Sequence, residues 1–504
     1  MNLASLADDN LATYGEYEAT IYDGRRYTNR EQFEASNRFA NALAALGVSP
    51  GDRVVVMLPN CPEVGQCYGA VLRAGGVVVP VLFLLATEEL VHILGDSEAK
   101  VVVTSPEFAE KALEAAAAVQ PAPVVVVVGG DVAGSLSYES LSLAQQPDAP
   151  VVEREASDPA LFMYTSGTTG RPKGVVLTHG NMLHQAEAIH EIAELDPTRL
   201  GLAVMPMAHA AGLVTWVAGM KNGGRGVLMR WFDPEGFCRN VQEYQISITA
   251  LVPTMAAFLL NHPAMDAYDL SSLEQVIFGA APASVELVRA FEEKTGAKVR
   301  GTYGLTEAAP VVTADRPSMS RKDGASGIAL PGVEIAIHDE DDRPLTTGES
   351  GEICVRGPNV MAGYHHMPEE TAKTLRGGWL HTGDIGYLDE DGYLFVVDRV
   401  KDMIIRGGFN IYPHDVEEVL AQHLAVAESA VIGVPDPVYG EQVEAFVVTR
   451  LGADATEEEL LAFCRERLAK YKTPQRITFV PDLPKSQVGK TLKRVLREQA
   501  SARS

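Results

Sequence analysis

The sequence lacks the cysteine patterns that mark disulfide-rich proteins and zinc-binding modules. Its 504 residues include only five cysteines, and no two of them form a CxxC pair. The spacing gives neither a disulfide framework nor a zinc motif. We therefore interpret all five as small buried hydrophobic residues, namely Cys61, Cys67, Cys238, Cys354 and Cys464.

Long apolar runs and an excess of basic charge are missing as well. The first ten residues have neither the basic region nor the apolar core of a secretion signal, and the longest uncharged apolar run, residues 74–86, is too short to span a bilayer. The 67 acidic residues outnumber the 42 basic residues and give a formal charge of -25, which would repel a nucleic acid. We expect a cytoplasmic protein with no integral membrane segment and no nucleic-acid partner.

The apolar residues that are present occur in short runs between helical patterns. Valine-rich stretches at residues 76–81, 100–104 and 123–128 alternate with amphipathic helices, which indicates parallel sheets covered on both faces. From about residue 331 short alternating strands with Gly and Asp turns predict a small antiparallel barrel, and from residue 402 helices and strands predict a compact α+β unit.

These patterns predict an α/β fold with two domains. The large N-terminal domain spans residues 1–400 and contains two α/β layered subdomains plus a small β-barrel over about 331–400. A small α+β C-terminal domain spans residues 401–504.

The densest chemical signal is the stretch YTSGTTGRPKGV at residues 164–175. Its glycines let backbone N–H groups approach a ligand, its hydroxyls form hydrogen bonds and its lysine supplies a positive charge, a combination suited to a nucleotide phosphate. Apolar runs on both sides predict that the loop joins two strands, unlike a Walker A loop, which opens a helix. A ligand-free surface turn of the same composition is the alternative at this point.

Six further stretches follow in a fixed order: PMAHAAG at 206–212, GAAP at 279–282, TYGLTE at 302–307, WLHTGD at 379–384, DRVKD at 398–402 and PKSQVGK at 484–490. With the central loop they resemble the adenylate-forming superfamily of acyl-CoA synthetases, peptide-synthetase adenylation domains and beetle luciferases. The resemblance covers nearly the whole chain. It implies an AMP-forming acid:CoA ligase whose substrates are a small carboxylic acid, ATP and coenzyme A, with Mg²⁺ as cofactor.

The resemblance assigns an ATP site with separate parts for phosphate, adenine and ribose. It consists of Thr165, Ser166, Gly167, Thr168, Thr169, Gly170, Lys173, Gly279, Ala280, Ala281, Pro282, Thr302, Tyr303, Gly304, Thr306, Asp384 and Arg399. Glu307 and Thr165 are the expected metal ligands, because Mg²⁺ prefers oxygen donors. A carboxylate such as Asp384 also pairs well with two ribose hydroxyls. Taken alone, each of these residues would be read as a turn or surface residue.

The resemblance also assigns roles in the C-terminal domain, which is mobile in the family. Lys490 is expected to stabilise charge on the carboxylate and α-phosphate, and Lys401 is expected to be the hinge. Gly407, Gly408, Tyr439 and Tyr471 match positions that contact coenzyme A. The family resemblance further suggests a homodimer.

Three functions are compatible with these motifs. An acid:CoA ligase is favoured over a ligase that loads a carrier protein or an amine, and over a non-catalytic nucleotide sensor, which would not need Lys490. An amino-acid substrate is disfavoured because Ala210 and Ala211, not an aspartate, follow His209.

The predicted acyl pocket favours a monocarboxylic fatty or aromatic acid, because no arginine occurs in the segments that usually form it. The pocket includes His209, which is also a predicted catalytic residue, with Gly212, Trp231, Phe232, Gly279, Gly304, Pro310 and Val311.

Overall fold

The computed structural model describes residues 2–166, 172–193, 198–399, 402–406, 409–450, 452–485 and 491–501. Its helices in chain order are α1 (Ser5–Tyr14), α2 (Asn29–Ala45), α3 (Pro62–Arg73), α4 (Thr87–Ser97), α5 (Ala109–Ala117), α6 (Tyr138–Leu143), α7 (His179–Ala193), α8 (Ala210–Asn222), α9 (Pro234–Tyr244), α10 (Pro253–Leu260), α11 (Ala264–Ala267), α12 (Val285–Thr295), α13 (Pro368–Thr374), α14 (Pro413–Ala421), α15 (Glu457–Arg467) and α16 (Lys493–Ser501). Short 3-10 turns occur at Pro106–Phe108, Thr306–Ala308 and Arg376–Gly378.

The strands form four sheets. In chain order they are β1 (Glu18–Tyr22), β2 (Arg25–Thr28), β3 (Arg53–Met57), β4 (Val77–Pro80), β5 (Val101–Thr104), β6 (Val124–Val127), β7 (Leu136–Ser137), β8 (Pro159–Ser166), β9 (Pro172–Thr178), β10 (Leu200–Ala203), β11 (Arg225–Leu228), β12 (Ile248–Leu251), β13 (Gln275–Phe278), β14 (Lys298–Gly304), β15 (Val311–Ala314), β16 (Ile328–Ala329), β17 (Glu334–His338), β18 (Gly351–Arg356), β19 (Gly363–Tyr364), β20 (Leu380–Leu388), β21 (Leu394–Arg399), β22 (Ile404–Arg406), β23 (Phe409–Ile411), β24 (Val426–Asp436), β25 (Gly440–Thr449) and β26 (Arg476–Phe479).

The eight-stranded sheet has the order β19-β9-β8-β4-β3-β5-β6-β7. Strands β4, β3, β5 and β6 pair in parallel and consist almost entirely of valine. Val54 and Val56 pack into one hydrophobic core, whereas Val55 and Met57 pack into another. Both faces of this sheet are therefore buried, which explains why the valine runs are continuous and do not alternate with polar residues.

The nine-stranded sheet has the order β16-β15-β14-β13-β12-β10-β11-β1-β2. Its strands β11, β10, β12, β13 and β14 pair in parallel. The sequence did not indicate that β1 would join this sheet, where it pairs in parallel with β11. Because β1 and β11 are far apart in the chain, no local pattern signals this contact.

The central loop joins two antiparallel strands, as predicted. In the hairpin of β8 and β9, Thr165 lies opposite Lys173 and Ser166 lies opposite Pro172. No helix follows the loop directly, so this is not a Walker A arrangement. Gly167, Thr168, Thr169 and Gly170 lie outside the described residues.

Two smaller sheets complete the fold. Strands β17, β18, β20 and β21 form an antiparallel sheet within residues 334–399, and β22 to β26 form the sheet of the C-terminal unit. Helices α14 and α15 pack on the sheet of the C-terminal unit through Val416, Leu420 and Leu460. The predicted α/β class with a large N-terminal domain and a small C-terminal domain is confirmed. The stretch predicted as a barrel instead forms a four-stranded sheet in which β17 and β21 are the two edges, so its described strands form an open sheet. The predicted domain boundary at 400–401 falls on residues outside the described ranges and stays a prediction.

The cysteines and the helices agree with the sequence-based description. All five cysteines are buried with free thiols, as predicted. Among the residues that the structure describes, every helix is too short or too polar to cross a membrane.

Candidate active site

A cavity of about 2010 Å³ is bounded by residues from the two large sheets, the small antiparallel sheet and the C-terminal unit. Several wall residues follow the carboxyl ends of parallel strands, the edge where open α/β sheets bind ligands. The wall includes thirteen of the predicted site residues: Thr165, His209, Gly279, Ala280, Ala281, Pro282, Thr302, Tyr303, Gly304, Thr306, Glu307, Asp384 and Arg399. Six separate stretches of sequence thus meet at one cavity.

Asp384 is held from two sides at the wall of this cavity. One carboxylate oxygen lies 3.0 Å from Arg399 Nε, and the other accepts a 2.8 Å hydrogen bond from the Tyr303 hydroxyl. Burial and the neighbouring Asp384 charge raise the pKa of Tyr303 well above its usual range, so the hydroxyl remains a donor. Asp384 is only 5% exposed, and these contacts fix its orientation. The sequence did not predict this hydrogen bond, because Tyr303 and Asp384 belong to separate motifs about 80 residues apart.

Glu307 lies in the 3-10 turn that follows β14. Its Oε1 accepts a 3.0 Å hydrogen bond from the Tyr364 hydroxyl, and its backbone carbonyl accepts a 2.8 Å hydrogen bond from the Met361 amide. Burial, together with the Glu307 charge, raises the pKa of Tyr364 above its usual range. Glu307 and Thr165 therefore bring a carboxylate and a hydroxyl to the same cavity, a donor set that fits a hard cation such as Mg²⁺. Tyr364 belongs to none of the motifs recognised in the sequence, so its contact with Glu307 was not predicted.

Lys173 makes its described contacts away from the cavity. Its side chain is buried in β9, its amine forms an ion pair with Glu370 of α13, and Nζ lies 5.2 Å from the centre of the Tyr364 ring. Lys173 is absent from the described part of the cavity wall. It supports Tyr364, which in turn contacts Glu307, and its predicted contact with a nucleotide stays a prediction.

Glycine is required at two positions in the bed of the cavity. A Cβ atom at Gly279 would lie 2.6 Å from Thr302 Oγ1, and one at Gly304 would lie 1.9 Å from the Pro310 carbonyl oxygen. Ala280, next to Gly279, has a φ of 67°. Residues 279–282 bring only glycine, two alanines and a proline to the cavity wall. A surface without bulky side chains is one on which a flat ligand can lie.

His209 caps the first turn of α8. Its Nδ1 accepts a 3.3 Å hydrogen bond from the Ala211 amide, and burial lowers its pKa to about 4. The imidazole is therefore neutral near pH 7. It can form hydrogen bonds at the cavity wall, but it offers no positive charge to a carboxylate.

The segment that contains Lys490 starts and ends at the cavity. Lys485 and Thr491 both line the cavity and form an antiparallel bridge, and the Leu492 amide donates to the Pro484 carbonyl at 2.7 Å. Lys485 Nζ also lies 4.9 Å from the ring of Phe258 on α10. Lys490 itself lies outside the described residues, as do Lys401, Gly407 and Gly408. The side chain of Ser166 is likewise not described.

The two aromatic residues assigned to coenzyme A are grouped around one arginine. The guanidinium of Arg406 lies 5.5 Å from the ring centre of Tyr439 and donates to the carbonyl of Tyr471 at 2.8 Å. Tyr471 stacks on Phe409 with ring centres 4.8 Å apart. This group lies on the C-terminal unit and is not part of the described cavity wall. Its contact with coenzyme A stays a prediction.

Two residues of the predicted acyl pocket lie elsewhere. Trp231 is 50% exposed and packs near Phe83, with ring centres 6.3 Å apart, while Phe232 packs near Phe237 at 6.4 Å. Neither belongs to the described part of the cavity wall, so their place in the acyl pocket stays a prediction. The other six predicted pocket residues line it: His209, Gly212, Gly279, Gly304, Pro310 and Val311.

Comparison with known proteins identifies the family. The model of the AMP-binding enzyme family matches residues 7–365, and the model of the AMP-binding enzyme C-terminal domain matches residues 415–490. This chain belongs to the AMP-binding enzyme family. The two matches together cover most of the large unit and most of the C-terminal unit of this AMP-binding enzyme.

Two curated relatives resemble the AMP-binding enzyme over nearly its whole length. A long-chain-fatty-acid–CoA ligase of Bacillus subtilis is 37% identical, with 99% of this chain and 94% of the relative covered. A feruloyl-CoA synthase of an Amycolatopsis species is 40% identical, with 95% of each chain covered. The predicted superfamily and enzyme class, an AMP-forming acid:CoA ligase, are confirmed.

Solved structures support the same fold for the AMP-binding enzyme. ATP-bound MatB from Rhodopseudomonas palustris superposes with a TM-score of 0.92 at 34% identity, covering 99% of this chain and 98% of that chain. The amide bond synthetase McbA from Marinactinospora thermotolerans has a TM-score of 0.89 at 31% identity, with 99% of both chains covered. The predicted ATP binding agrees with the family and with the ATP-bound neighbour.

Proposed function

We propose that this AMP-binding enzyme joins a monocarboxylic fatty or aromatic acid to coenzyme A through an acyl-adenylate. One observation carries the proposal. A single cavity collects Thr165 at the end of the hydroxyl-rich hairpin, Glu307, the clamped Asp384 and the base of the segment that contains Lys490. These are the parts needed to hold ATP beside a carboxylate.

In the first step a carboxylate oxygen attacks the α-phosphorus of ATP, and pyrophosphate leaves. This step requires in-line positioning and stabilisation of negative charge rather than a general base. Asp384 would accept hydrogen bonds from the ribose hydroxyls, and the bed that includes Gly279 and Tyr303 would support the adenine. We assign charge stabilisation at the reacting groups to Lys490 and to the hairpin hydroxyls.

A magnesium ion fits the donors that the structure brings together. Glu307 and Thr165 would hold it, and the bound ion would neutralise phosphate charge during pyrophosphate departure. Tyr364 keeps the Glu307 carboxylate in place through the hydrogen bond to Oε1. Lys173 and Glu370 support Tyr364 from behind.

In the second step the thiol sulfur of coenzyme A attacks the acyl carbonyl, a thioester forms and AMP leaves. We assign Gly407, Gly408, Tyr439 and Tyr471 to the approach of coenzyme A and Lys401 to the hinge. A rotation of the C-terminal unit would exchange Lys490 for this surface between the two steps.

The cavity wall near His209 favours an uncharged acyl tail. Apolar side chains line it, including Met207, Val214, Ala257 and Leu260. Arg225 also belongs to the wall, but its guanidinium lies 3.2 Å from Glu18. At these two residues a second carboxylate on the substrate would find no unpaired positive charge. His209 is neutral, and the guanidinium of Arg225 is already paired with Glu18.

Pyrophosphate release measured with a panel of carboxylic acids, with and without coenzyme A, tests the proposal. We expect ATP consumption that depends on a fatty or aromatic monocarboxylate and a thioester product that depends on coenzyme A. The similarity to McbA favours one alternative, transfer of the acyl group to an amine, and the resemblance to adenylation domains leaves a carrier protein as another acceptor. ATP turnover that produces an amide or an acylated carrier but no thioester would replace the proposed acceptor.

Two further assignments come from the sequence analysis, and only the homodimer rests on the family resemblance. We propose that the enzyme acts in the cytoplasm in fatty or aromatic acid metabolism and that it forms a homodimer. Light scattering of the purified protein would give a mass of two chains, and a mass of one chain would remove the dimer from the proposal.

A further inference from the structure

Four side chains with metal-binding chemistry share one face of the small antiparallel sheet. His338 on β17 lies directly opposite Glu352 on β18, and Cys354 on β18 lies directly opposite His381 on β20. Glu352 and Cys354 are two residues apart on the same strand, so their side chains point to the same face. The pairing of three strands thus brings together residues that show no metal-binding spacing in the sequence.

The distances among His338, Cys354 and His381 suit a shared metal ion. Single ligand atoms of His338, Cys354 and His381 all lie within 4.8 Å of one another. Cys354 Sγ lies 3.4 Å from His381 Nδ1, and Glu352 Oε2 lies 2.8 Å from the same nitrogen. In a tetrahedral zinc site with bonds of about 2.0 to 2.3 Å, neighbouring ligand atoms stand roughly 3.3 to 3.8 Å apart. Ligand atoms of Glu352, Asp342 and His381 form a second group with the same spacing, so Glu352 adjoins the first group at His381.

His338 provides an independent indication that something is bound here. The residue is only 6% exposed, and within the described part of the chain no group forms a hydrogen bond with its buried Nδ1. Its ring packs against Trp379 and His381, with ring centres 5.6 and 5.9 Å away. Buried polar atoms in folded proteins are almost always paired, so an unpaired imidazole nitrogen beside a thiol and a second imidazole needs an explanation.

We propose that His338, Cys354 and His381 bind one divalent cation of the zinc class, with Glu352 as the fourth ligand. Thiolate and imidazole together select borderline or soft ions over Mg²⁺, which prefers oxygen. The Cys354 thiol would lose its proton to solvent when the sulfur–metal bond forms. This site is separate from the proposed magnesium site at Glu307 and Thr165, which offers no sulfur.

The proposed site is connected to the nucleotide cavity through one short segment of β20. Glu352 Oε1 accepts a 3.0 Å hydrogen bond from the Gly383 amide, and Gly383 precedes Asp384. A cation that fixes both Glu352 and His381 would therefore hold the segment that carries Asp384. On the solvent side, Arg376 Nη2 lies 3.3 Å from Glu352 Oε2 and 2.7 Å from Asp342. We expect the ion to stabilise this segment rather than to react.

Titration of the full-length protein with Co²⁺, followed by absorption spectroscopy, tests the proposal. One equivalent should bind with an intense thiolate-to-cobalt charge-transfer band, and Zn²⁺ should displace it with loss of the band. An oxygen-only site such as Glu307 and Thr165 cannot give this band. Cys354→Ser should abolish it, and His338→Gln should weaken Co²⁺ binding by at least about tenfold.

Matched controls separate the cluster from other thiols and imidazoles. Cys464→Ser changes another buried cysteine, and His262→Gln changes a histidine outside the cavity, and both variants should retain the band. Absence of the band in the wild-type protein, or its persistence in Cys354→Ser, would overturn the proposal. Should Cys354→Ser fail to fold, His338→Gln decides, because unchanged Co²⁺ affinity in that variant would also overturn it.

Discussion

The two contacts that hold Asp384 lead to a specific prediction for Tyr303→Phe. This change removes one hydroxyl and leaves the ring in place, so Asp384 loses its 2.8 Å hydrogen bond and keeps its contact with Arg399. A hydrogen bond to a charged group contributes about 1.5 to 3 kcal/mol. The carboxylate lies at a cavity wall, where water can replace part of that bond, so we expect a loss of about 1.5 kcal/mol. This loss corresponds to roughly a tenfold weaker interaction with ATP.

Steady-state kinetics with ATP varied at saturating acid and coenzyme A measures this effect. We expect the KM for ATP to rise about tenfold in Tyr303→Phe, because the ribose partner is less well oriented. Tyr393→Phe is the matched control, since it removes a 2.6 Å hydrogen bond to the Ser320 carbonyl outside the described cavity wall. An unchanged KM in folded Tyr303→Phe, or an equal rise in the control, would refute the role assigned to the Tyr303 hydroxyl.

Two other predictions concern metal binding and pH. Glu307→Gln replaces a carboxylate by a weaker neutral ligand, so the Mg²⁺ concentration for half-maximal pyrophosphate release should rise about tenfold or more, whereas the exposed Glu340→Gln should leave it unchanged. Burial lowers the pKa of His179 to about 4. Between pH 6.5 and 4 the unfolded state therefore binds more protons than the folded state. As the pH falls through this window, protonation of His179 should lower the free energy of unfolding by about 3 kcal/mol. Urea unfolding across that range should show a shallower fall for His179→Gln, and an unaltered fall would contradict the assignment, with His184→Gln as the control.

Much of the nucleotide cavity could be predicted because its signals are local. Glycine at positions 279 and 304 reflects backbone that approaches another group too closely for a Cβ atom. Carboxylates such as Glu307 and Asp384 stand in short turns or strands whose order along the chain resembles one superfamily. The role of such residues can therefore be inferred without knowledge of the tertiary structure.

Contacts between distant strands could not be predicted in the same way. The Tyr303 hydrogen bond to Asp384 and the Lys173 ion pair with Glu370 depend on how separate elements pack. The interpretation of Cys354 as a buried hydrophobic residue was confirmed for its burial, yet the spacing of cysteines could not reveal two histidines on neighbouring strands.

The most direct test of the proposed function measures its two half-reactions separately in Lys490→Ala. Acid-dependent exchange between ATP and pyrophosphate reports acyl-adenylate formation, and thioester formation from a supplied acyl-adenylate reports transfer to coenzyme A. We predict that Lys490→Ala lowers the first by at least about 100-fold, as loss of a charge-stabilising group does, and spares the second. A surface variant, Lys100→Ala, should retain both activities. Equal loss of both half-reactions in Lys490→Ala, or full retention of the exchange reaction, would contradict acid activation by this lysine.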